Sequence, residues 1–214
     1  VCSSDLFQRD RYKPIDLTRL GEHITKQGVT QFAFQQQRDR ILWVVTSTGE
    51  LAGLTYERDE DVLGWHNHST EGGTFDSVAV MHGSDEEDEV WTVVARTVGG
   101  ASKRYLERME PSQYKTQEDG TKDSCFYVDS GLVQTGTDLA GINLAHLEGE
   151  VVQLNADGVQ YSGITVASGV AALPAGKTAS KIIGGIKITS RLEPMKIDSP
   201  TNNGTSRGRE GQIT

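Results

Sequence analysis

The sequence predicts an all-β fold, and three observations carry that prediction. Short stretches rich in Val, Thr, Trp and Tyr alternate with glycine-centred turns through residues 41–110. These stretches recur about every 8–12 residues, which is typical of a sandwich, a barrel or a propeller. The 24 glycines also suit a chain with many tight turns. Sequential pairing through short loops favours the blades of a β-propeller, a fold that leaves few strand edges exposed.

One short helix is predicted ahead of the strands. Asp16 is a capping residue, and apolar residues follow it at the spacing of one helical face: Leu17, Leu20 and Ile24. Gly28 is well placed to end the helix. Residues Val29 to Phe34 are then predicted to form the first strand of the propeller-like part.

Six further strands are predicted within residues 41–110. Ser47–Glu50 and Gly99–Gly100 provide glycine where hairpin turns need an unusual backbone angle. Residues 84–89 form an acidic loop between two of the strands. The predicted strands are Ile41–Thr46, Leu51–Tyr56, Val62–His68, Phe75–His82, Val90–Val98 and Ser102–Glu110.

A second β-unit is predicted after a polar linker. Residues 7–110 hold the partial propeller, 111–125 the linker, and 126–197 a small sandwich-like or barrel-like β-domain. Asn155–Gly158 contains Asp-Gly, a strong hairpin signal. Residues 198–214 are predicted to be a loop followed by the start of a strand. The strands predicted in the second unit are Val151–Leu154, Ile164–Ala167, Gly169–Leu173 and Lys181–Ile188.

Composition and charge argue against several classes of function. Apolar residues make up 36% of the chain, and no apolar run approaches the ~20 residues that a membrane-spanning helix needs. Residues 41–110 carry 5 basic and 14 acidic side chains, which equals the net charge of -9 for the whole chain. Such a segment repels nucleic acid, so we expect no gripping of a duplex, although DNA could slide past it.

The two cysteines indicate neither a metal site nor a redox site. Cys2 and Cys125 are far apart in sequence and form no CxxC pair. A disulfide is the less expected state for a protein made in a reducing cytosol. We therefore expect two thiols.

Both ends of the sequence indicate an internal piece of a longer protein. The opening Val-Cys-Ser-Ser-Asp-Leu looks like an in-frame translation of a sequencing adapter, so residues 1–6 are interpreted as an artefact. The chain stops where a strand is predicted to begin. The number of blades therefore cannot be read from this sequence.

Several motifs occur in an order that resembles one protein family. They are Asp16–His23, Ile41–Val45, Gly49–Arg58, Val62–His68 with Phe75–Val80, Lys103–Arg108, His146–Gly149, Ala156–Gly158 and residues 184–194. The chain resembles the tail nozzle proteins of short-tailed bacteriophages, also called tail tubular protein B. The likeness covers nearly all of residues 11–214. Gln35–Arg40, in place of a proline-containing turn, and the strongly acidic Asp85–Glu89 depart from the family pattern.

The resemblance implies a virion structural protein that is not an enzyme. It implies a ring of identical subunits below the portal and its adaptor, through which the genome passes without specific binding. Expected partners are copies of the chain, the adaptor or tail-tube protein, and tail fibres. The expected location is the virion tail, assembled in the cytoplasm of the bacterial host.

Trp65, His66 and His68 are the most chemically suggestive cluster. His66 and His68 are two residues apart, so on a strand they face the same side, and Trp65 is expected to point the opposite way, into the blade core. That placement permits a shared metal ion, but no third ligand is evident, and the family shows this motif without metal chemistry. We therefore predict no metal, no cofactor and no catalytic residue.

Two other groups have a functional and a structural interpretation. Trp43, Tyr56, Trp91 and Tyr105 are expected in the core between blades, with a glycan-binding platform as the alternative. Asp85–Glu89 could bind Ca²⁺ but lacks the ligand spacing of a calcium loop, so a solvated hairpin turn is the simpler expectation. No nucleophile motif surrounds any serine, and no phosphate-binding glycine pattern precedes a helix.

Two alternatives to the nozzle hypothesis remain at this stage. The first is a carbohydrate-binding or depolymerising phage tail protein that contacts the host surface. Exposed tryptophans and a cleft with paired carboxylates would favour it. The second is a propeller scaffold encoded by the host.

Overall fold

The protein is an all-β molecule with one short helix. The computed structural model describes residues 2–5, 13–19, 21–37, 39–57, 60, 62–83, 87–110, 125–189, 200–201 and 204–205. The strands up to residue 108 are β1 Cys2–Asp5, β2 Lys13–Asp16, β3 Val29–Gln35, β4 Ile41–Thr46, β5 Leu51–Glu57, β6 Val62–His68, β7 Gly73–His82, β8 Asp88–Val98 and β9 Ala101–Arg108. The later strands are β10 Val128–Leu139, β11 Gly141–Asn143, β12 Val151–Ala156, β13 Val159–Thr165, β14 Val170–Ala172, β15 Ala179–Lys187, β16 Pro200–Thr201 and β17 Gly204–Thr205.

The propeller-like part consists of two consecutive antiparallel meanders. Strands β3-β4-β5-β6 form a four-stranded sheet in chain order, and β7-β8-β9 form a three-stranded sheet, also in chain order. All six predicted strands of residues 41–110 are present, with bounds shifted by a few residues. The predicted all-β class is confirmed. Two sheets do not close a ring, so the propeller stays a prediction.

The hairpin turns occur where the glycines predicted them. Gly49 connects β4 to β5 with φ 79°, and Gly99 and Gly100 connect β8 to β9 with φ 58° and 77°. In the second unit, Asp157 and Gly158 join β12 to β13 with φ 47° and 82°. Both central residues of that turn are left-handed, as a type I′ turn requires.

The predicted helix is shorter than expected and begins later. The helix α1 covers only Glu22–Thr25 and has no side-chain cap. Asp16 ends strand β2, and its carboxylate accepts hydrogen bonds from the backbone N–H and the hydroxyl of Thr18. These two bonds make a local turn, which competes with a helix at this position. Leu17 and Ile24 are nevertheless buried, as the apolar pattern predicted.

The two meanders pack face to face over a shared apolar core. One face of the first sheet contributes Trp43, Val45 and Leu51, and the second sheet contributes Val78 and Val90. From Glu89 to Val98, strand β8 alternates between buried residues and residues that are partly or fully exposed, because only one of its faces meets a core. This stacking positions the histidine-containing strand β6 at one edge of the first sheet.

The second unit has its own core between a four-stranded and a two-stranded sheet. The larger sheet has the order β10-β15-β12-β13, and β11 pairs with β14. The core lies mainly between these sheets, but Val98 of β8 also belongs to it. Its buried residues are Val98, Ile142, Leu144, Leu147, Val152, Leu154, Ala156, Val166, Ala171, Leu173, Ala179 and Ile182.

The remaining predicted segments lie partly outside the described residues. Residues 111–124 of the predicted linker and residues 190–199 lie outside the described part of the chain. Residues 2–5 pair with β2, and Pro200–Thr201 pairs with Gly204–Thr205 within the predicted terminal loop. No helix in the described part of the chain is long and apolar enough to cross a membrane.

Candidate functional site

The two histidines of strand β6 face the same side of the sheet, as their spacing predicted. The side-chain atoms His66 Nδ1 and His68 Nε2 lie 2.8 Å apart, within hydrogen-bond distance. Strand register places His66 opposite Gly53 and His68 opposite Leu51. The pair therefore lies on the sheet face that carries the core between the two meanders.

A glycine and a tryptophan build the pocket around His66. A Cβ atom on Gly53 would lie 2.2 Å from His66 Cε1, so only glycine leaves room for the ring at this position. Trp43 pairs with Gly53 from the other side, and its ring centroid lies 5.6 Å from that of His66 and 5.2 Å from that of His68. Trp43 is buried, and its Nε1–H donates to Gln35 Oε1 over 2.9 Å.

Burial keeps both histidines neutral at physiological pH. It lowers the pKa of His66 below its ordinary value. Burial, together with the nearby His66, lowers the pKa of His68 from 6.5 to about 4. A neutral imidazole has one donor and one acceptor nitrogen, so a neutral pair can form one direct hydrogen bond.

The described residues contain no cluster of ligands for a metal ion. No group of three or more His, Cys, Asp or Glu side chains converges within that part of the chain. The geometry supports a hydrogen-bonded structural pair, and the absence of a metal stays a prediction.

Trp65 faces away from the histidines, as predicted, but it does not point into the core between the two meanders, because the histidines lie on that face and Trp65 meets the N-terminal segment. Its Nε1–H donates to the backbone carbonyl of Leu17 over 2.9 Å. A Cβ atom on Gly21 would lie 2.6 Å from Trp65 Cδ1, so the backbone approaches the indole closely there. Trp65 thus anchors the segment before β3 on the outer face of the first sheet.

The other aromatic residues do not share one core, contrary to the expectation. Of the four residues expected there, only Trp43 lies buried between the two meanders, and Tyr56 on β5 is partly exposed and belongs to neither core. Trp91 lies on the outer face of β8, where its Nε1–H donates to Glu89. Tyr105 packs against the core of the second unit. The reason is strand alternation: Trp91 is one residue out of phase with the buried positions of β8.

The described end of the acidic loop is tied to neighbouring strands. Asp88 accepts hydrogen bonds from the backbone N–H groups of Gln36 and Gln37, each over 2.8 Å, and these bonds lower its pKa. Glu89 forms an ion pair with Arg108 at 2.8 Å. Residues 84–86 lie outside the described part. The loop does join β7 to β8, as the hairpin prediction required.

A buried ionic network joins the second meander to the second unit, and the sequence analysis did not find it. Arg96 on β8 is only 2% exposed. Its guanidinium donates to both carboxylate oxygens of Glu107, over 3.2 and 3.0 Å, and to the backbone carbonyl of Glu71 over 2.9 Å. A bidentate pair of this kind fixes the direction of both side chains.

The second unit contacts this network through Asp129 and Ser130. The Ser130 hydroxyl donates to Glu107 over 2.8 Å, and the Thr70 hydroxyl donates to Asp129 over 2.8 Å. Burial raises the pKa of Asp129, while the bond from Thr70 and the charge of Arg96 act in the opposite direction. Glu107 of the second meander and Asp129 of the second unit therefore both interact with the guanidinium of Arg96.

Ser130 has an unusual backbone conformation at this junction. Its φ is 51°, and it lies at a register shift in β10 between Asp129 and Leu132. The ring of His146 hydrogen-bonds the carbonyl of Ser130 over 2.8 Å, and the Tyr105 hydroxyl donates to the carbonyl of His146 over 2.8 Å. A left-handed serine persists only where its surroundings hold it, and these bonds do so.

One sequence signal could have indicated this network. Arg96 stands in phase with the buried residues of β8, since Val90, Val94 and Val98 alternate around it. A charged residue in the buried phase of a strand requires a partner. The partner is Glu107, which lies on the same face of the hairpin but four residues beyond Lys103, the residue directly opposite Arg96, so the strand register alone does not identify it.

Comparison with known proteins assigns the chain to no family. No protein-family model matches it, and no curated protein matches its sequence.

Proposed function

We propose that the chain is part of a phage tail nozzle, a structural wall of the conduit through which the genome leaves the virion. The observation that carries the proposal is the stacking of two consecutive antiparallel meanders over one apolar core. A four-stranded meander is the unit from which propeller blades are built. The order of the motifs that resemble the nozzle family adds independent support.

The outer faces of the two sheets also support a larger propeller. Phe32 and Phe34 on the outer face of the first sheet are 66% and 52% exposed. Met81 and Leu106 on the outer face of the second sheet are 51% and 69% exposed. A blade inside a propeller packs on neighbours through both faces, so apolar residues on both outer faces fit that arrangement.

The charge distribution suits a wall that does not hold DNA. The segment 41–110 is strongly acidic, and three of its five basic side chains are already paired with carboxylates: Arg96 with Glu107, Arg104 with Asp76 and Arg108 with Glu89. Phosphate contacts need Lys and Arg side chains that are free to neutralise the nucleic acid. DNA would therefore pass this surface without binding.

The fixed attachment of the second unit fits a rigid assembly. The bonds from Ser130 to Glu107 and from Tyr105 to His146 lock the unit onto the β8–β9 hairpin. Copies of the chain, the adaptor ring and the tail fibres are the partners that the proposal implies. The proposal includes neither catalysis nor a cofactor.

Electron microscopy of the full-length protein tests the proposal. The protein is expressed from the reading frame in its source DNA and imaged in negative stain with the neighbouring tail proteins. Closed rings that stack on the adaptor are the expected result. A monomer that ignores the adaptor and binds surface polysaccharide would overturn the proposal in favour of a carbohydrate-binding tail protein.

A further inference from the structure

We propose that His66 and His68 form an acid-responsive clamp. The hydrogen bond between the two rings survives the binding of one proton, and the binding of a second proton breaks it and releases strand β6 from Trp43. The proposal does not depend on the nozzle function, because it rests on the geometry of the pair alone. His66 Nδ1 and His68 Nε2 lie 2.8 Å apart. That separation allows one N–H between them to be shared as a hydrogen bond.

The first proton leaves the hydrogen bond intact. In the neutral pair one facing nitrogen carries a hydrogen and the other accepts it. An added proton binds the distal nitrogen of the donor ring, which leaves the facing N–H in place. The bond then has a charged donor and becomes stronger, since charge-assisted bonds exceed neutral ones.

The second proton destroys the bond. It must bind the facing nitrogen that had been the acceptor, so both facing nitrogens then carry a hydrogen. Two cationic rings would remain with centroids 5.0 Å apart in a half-buried site. Burial and the charge of His66 are the two causes that lower the pKa of His68 to about 4, and burial is the cause for His66. Among the described residues no carboxylate contributes to either shift.

The surroundings give the rings no alternative place within the sheet. The ring of His66 occupies the space that a side chain at position 53 would need. Trp43 contacts both rings and belongs to the core between the two meanders. Since β6 is an edge strand of its sheet, it can move outward when the rings separate, and Trp43 then loses two of its ring contacts.

The test follows the indole N–H of Trp43 and the imidazole nitrogens by nuclear magnetic resonance between pH 7.5 and 3.5. We expect two coupled titration steps below the ordinary histidine value of 6.5, the second near pH 4. The Trp43 resonance should stay unchanged through the first step and move with the second. In that second step the amide protection of β6 should fall, while that of β12 in the second unit is retained.

Variants separate the clamp from general acid unfolding. His68→Gln should abolish the second step and the movement of Trp43. His82→Gln is the matched control, because His82 is exposed and pairs with Asp88 outside the cluster. Independent titration of both rings at the ordinary value in the unmodified protein would overturn the proposal, and that measurement needs no variant to fold. An unaltered Trp43 transition in His68→Gln would overturn it as well.

Discussion

The guanidinium of Arg96 donates to both carboxylate oxygens of Glu107, although Arg96 is only 2% exposed. The two residues lie on adjacent strands of one hairpin, and the Ser130 hydroxyl of the second unit binds the same carboxylate. Removing water from a cation costs free energy, and the ion pair offsets that cost only while all of its hydrogen-bond partners are present. The junction therefore depends on a complete set of polar contacts.

Replacing Arg96 should destabilise the protein strongly. Arg96→Met removes the guanidinium from the carboxylate of Glu107, which keeps only its bond from Ser130, and from the carbonyl of Glu71. We expect a loss of about 3 kcal/mol in the free energy of unfolding. Urea unfolding followed by circular dichroism measures it. Arg104→Met is the control, since Arg104 is exposed and pairs with Asp76 on the surface. Equal effects of both substitutions would contradict the role assigned to the buried network.

The partly buried carboxylate of Asp129 should make stability depend on pH. Burial raises its folded-state pKa, so its favourable contribution is present below the unfolded value of 3.8 and is lost as pH rises through the folded value. Asp129→Asn keeps an oxygen that can accept from Thr70 and removes the buried charge. The variant should gain stability relative to the unmodified protein as pH rises from 4 to 7. Urea midpoints across that range test this, and a difference that does not vary with pH would refute it.

The space above Gly53 should not tolerate a methyl group. A Cβ atom there would lie 2.2 Å from His66 Cε1, so Gly53→Ala must displace the ring and break its bond to His68. We expect destabilisation of about 1–3 kcal/mol, the range for overpacked sites. Gly64→Ala is the matched control on the same face, because no atom lies within 4 Å of its built Cβ. Thermal unfolding compares the two, and Gly64→Ala should change stability by less than about 0.5 kcal/mol.

Trp65 should control how firmly the N-terminal segment is held. Trp65→Phe removes the donor to the carbonyl of Leu17, and we expect a loss of about 1 kcal/mol together with faster tryptic cleavage after Arg19 and Lys26. Trp91→Phe is the comparison, since its indole bonds a surface glutamate. Cleavage rates followed by mass spectrometry decide the point. If both variants are cut equally fast, Trp65 has no special anchoring role.

The sequence predicted local features well because strand formation and hairpin turns depend on nearby residues. Alternating apolar residues, together with glycines at turns that need a positive φ, predicted the bounds of β4 to β9 to within a few residues. The i, i+2 spacing correctly predicted that His66 and His68 lie on one face. The helix at Asp16 was mispredicted, since its carboxylate bonds Thr18 in a turn instead of capping a helix.

Contacts between distant parts of the chain could not be predicted in the same way. The sequence placed Tyr105 between blades, yet it packs on the second unit because the β8–β9 hairpin extends into that core. The bond from Ser130 to Glu107 joins residues separated by a linker whose path no local pattern specifies. Such contacts arise from the way whole sheets pack, and a single sequence records only their residue types.

Strand β8 belongs to two hydrophobic cores at once, with Val90 near one end in the first and Val98 at the other end in the second. If β8 loses its order in either core, the other core loses packing contacts as well. The two parts of the chain, though separate in sequence, are thus coupled thermodynamically and should melt together as one cooperative unit. Force applied to the second unit would act directly on β8, because Val98 is packed in the core of that unit.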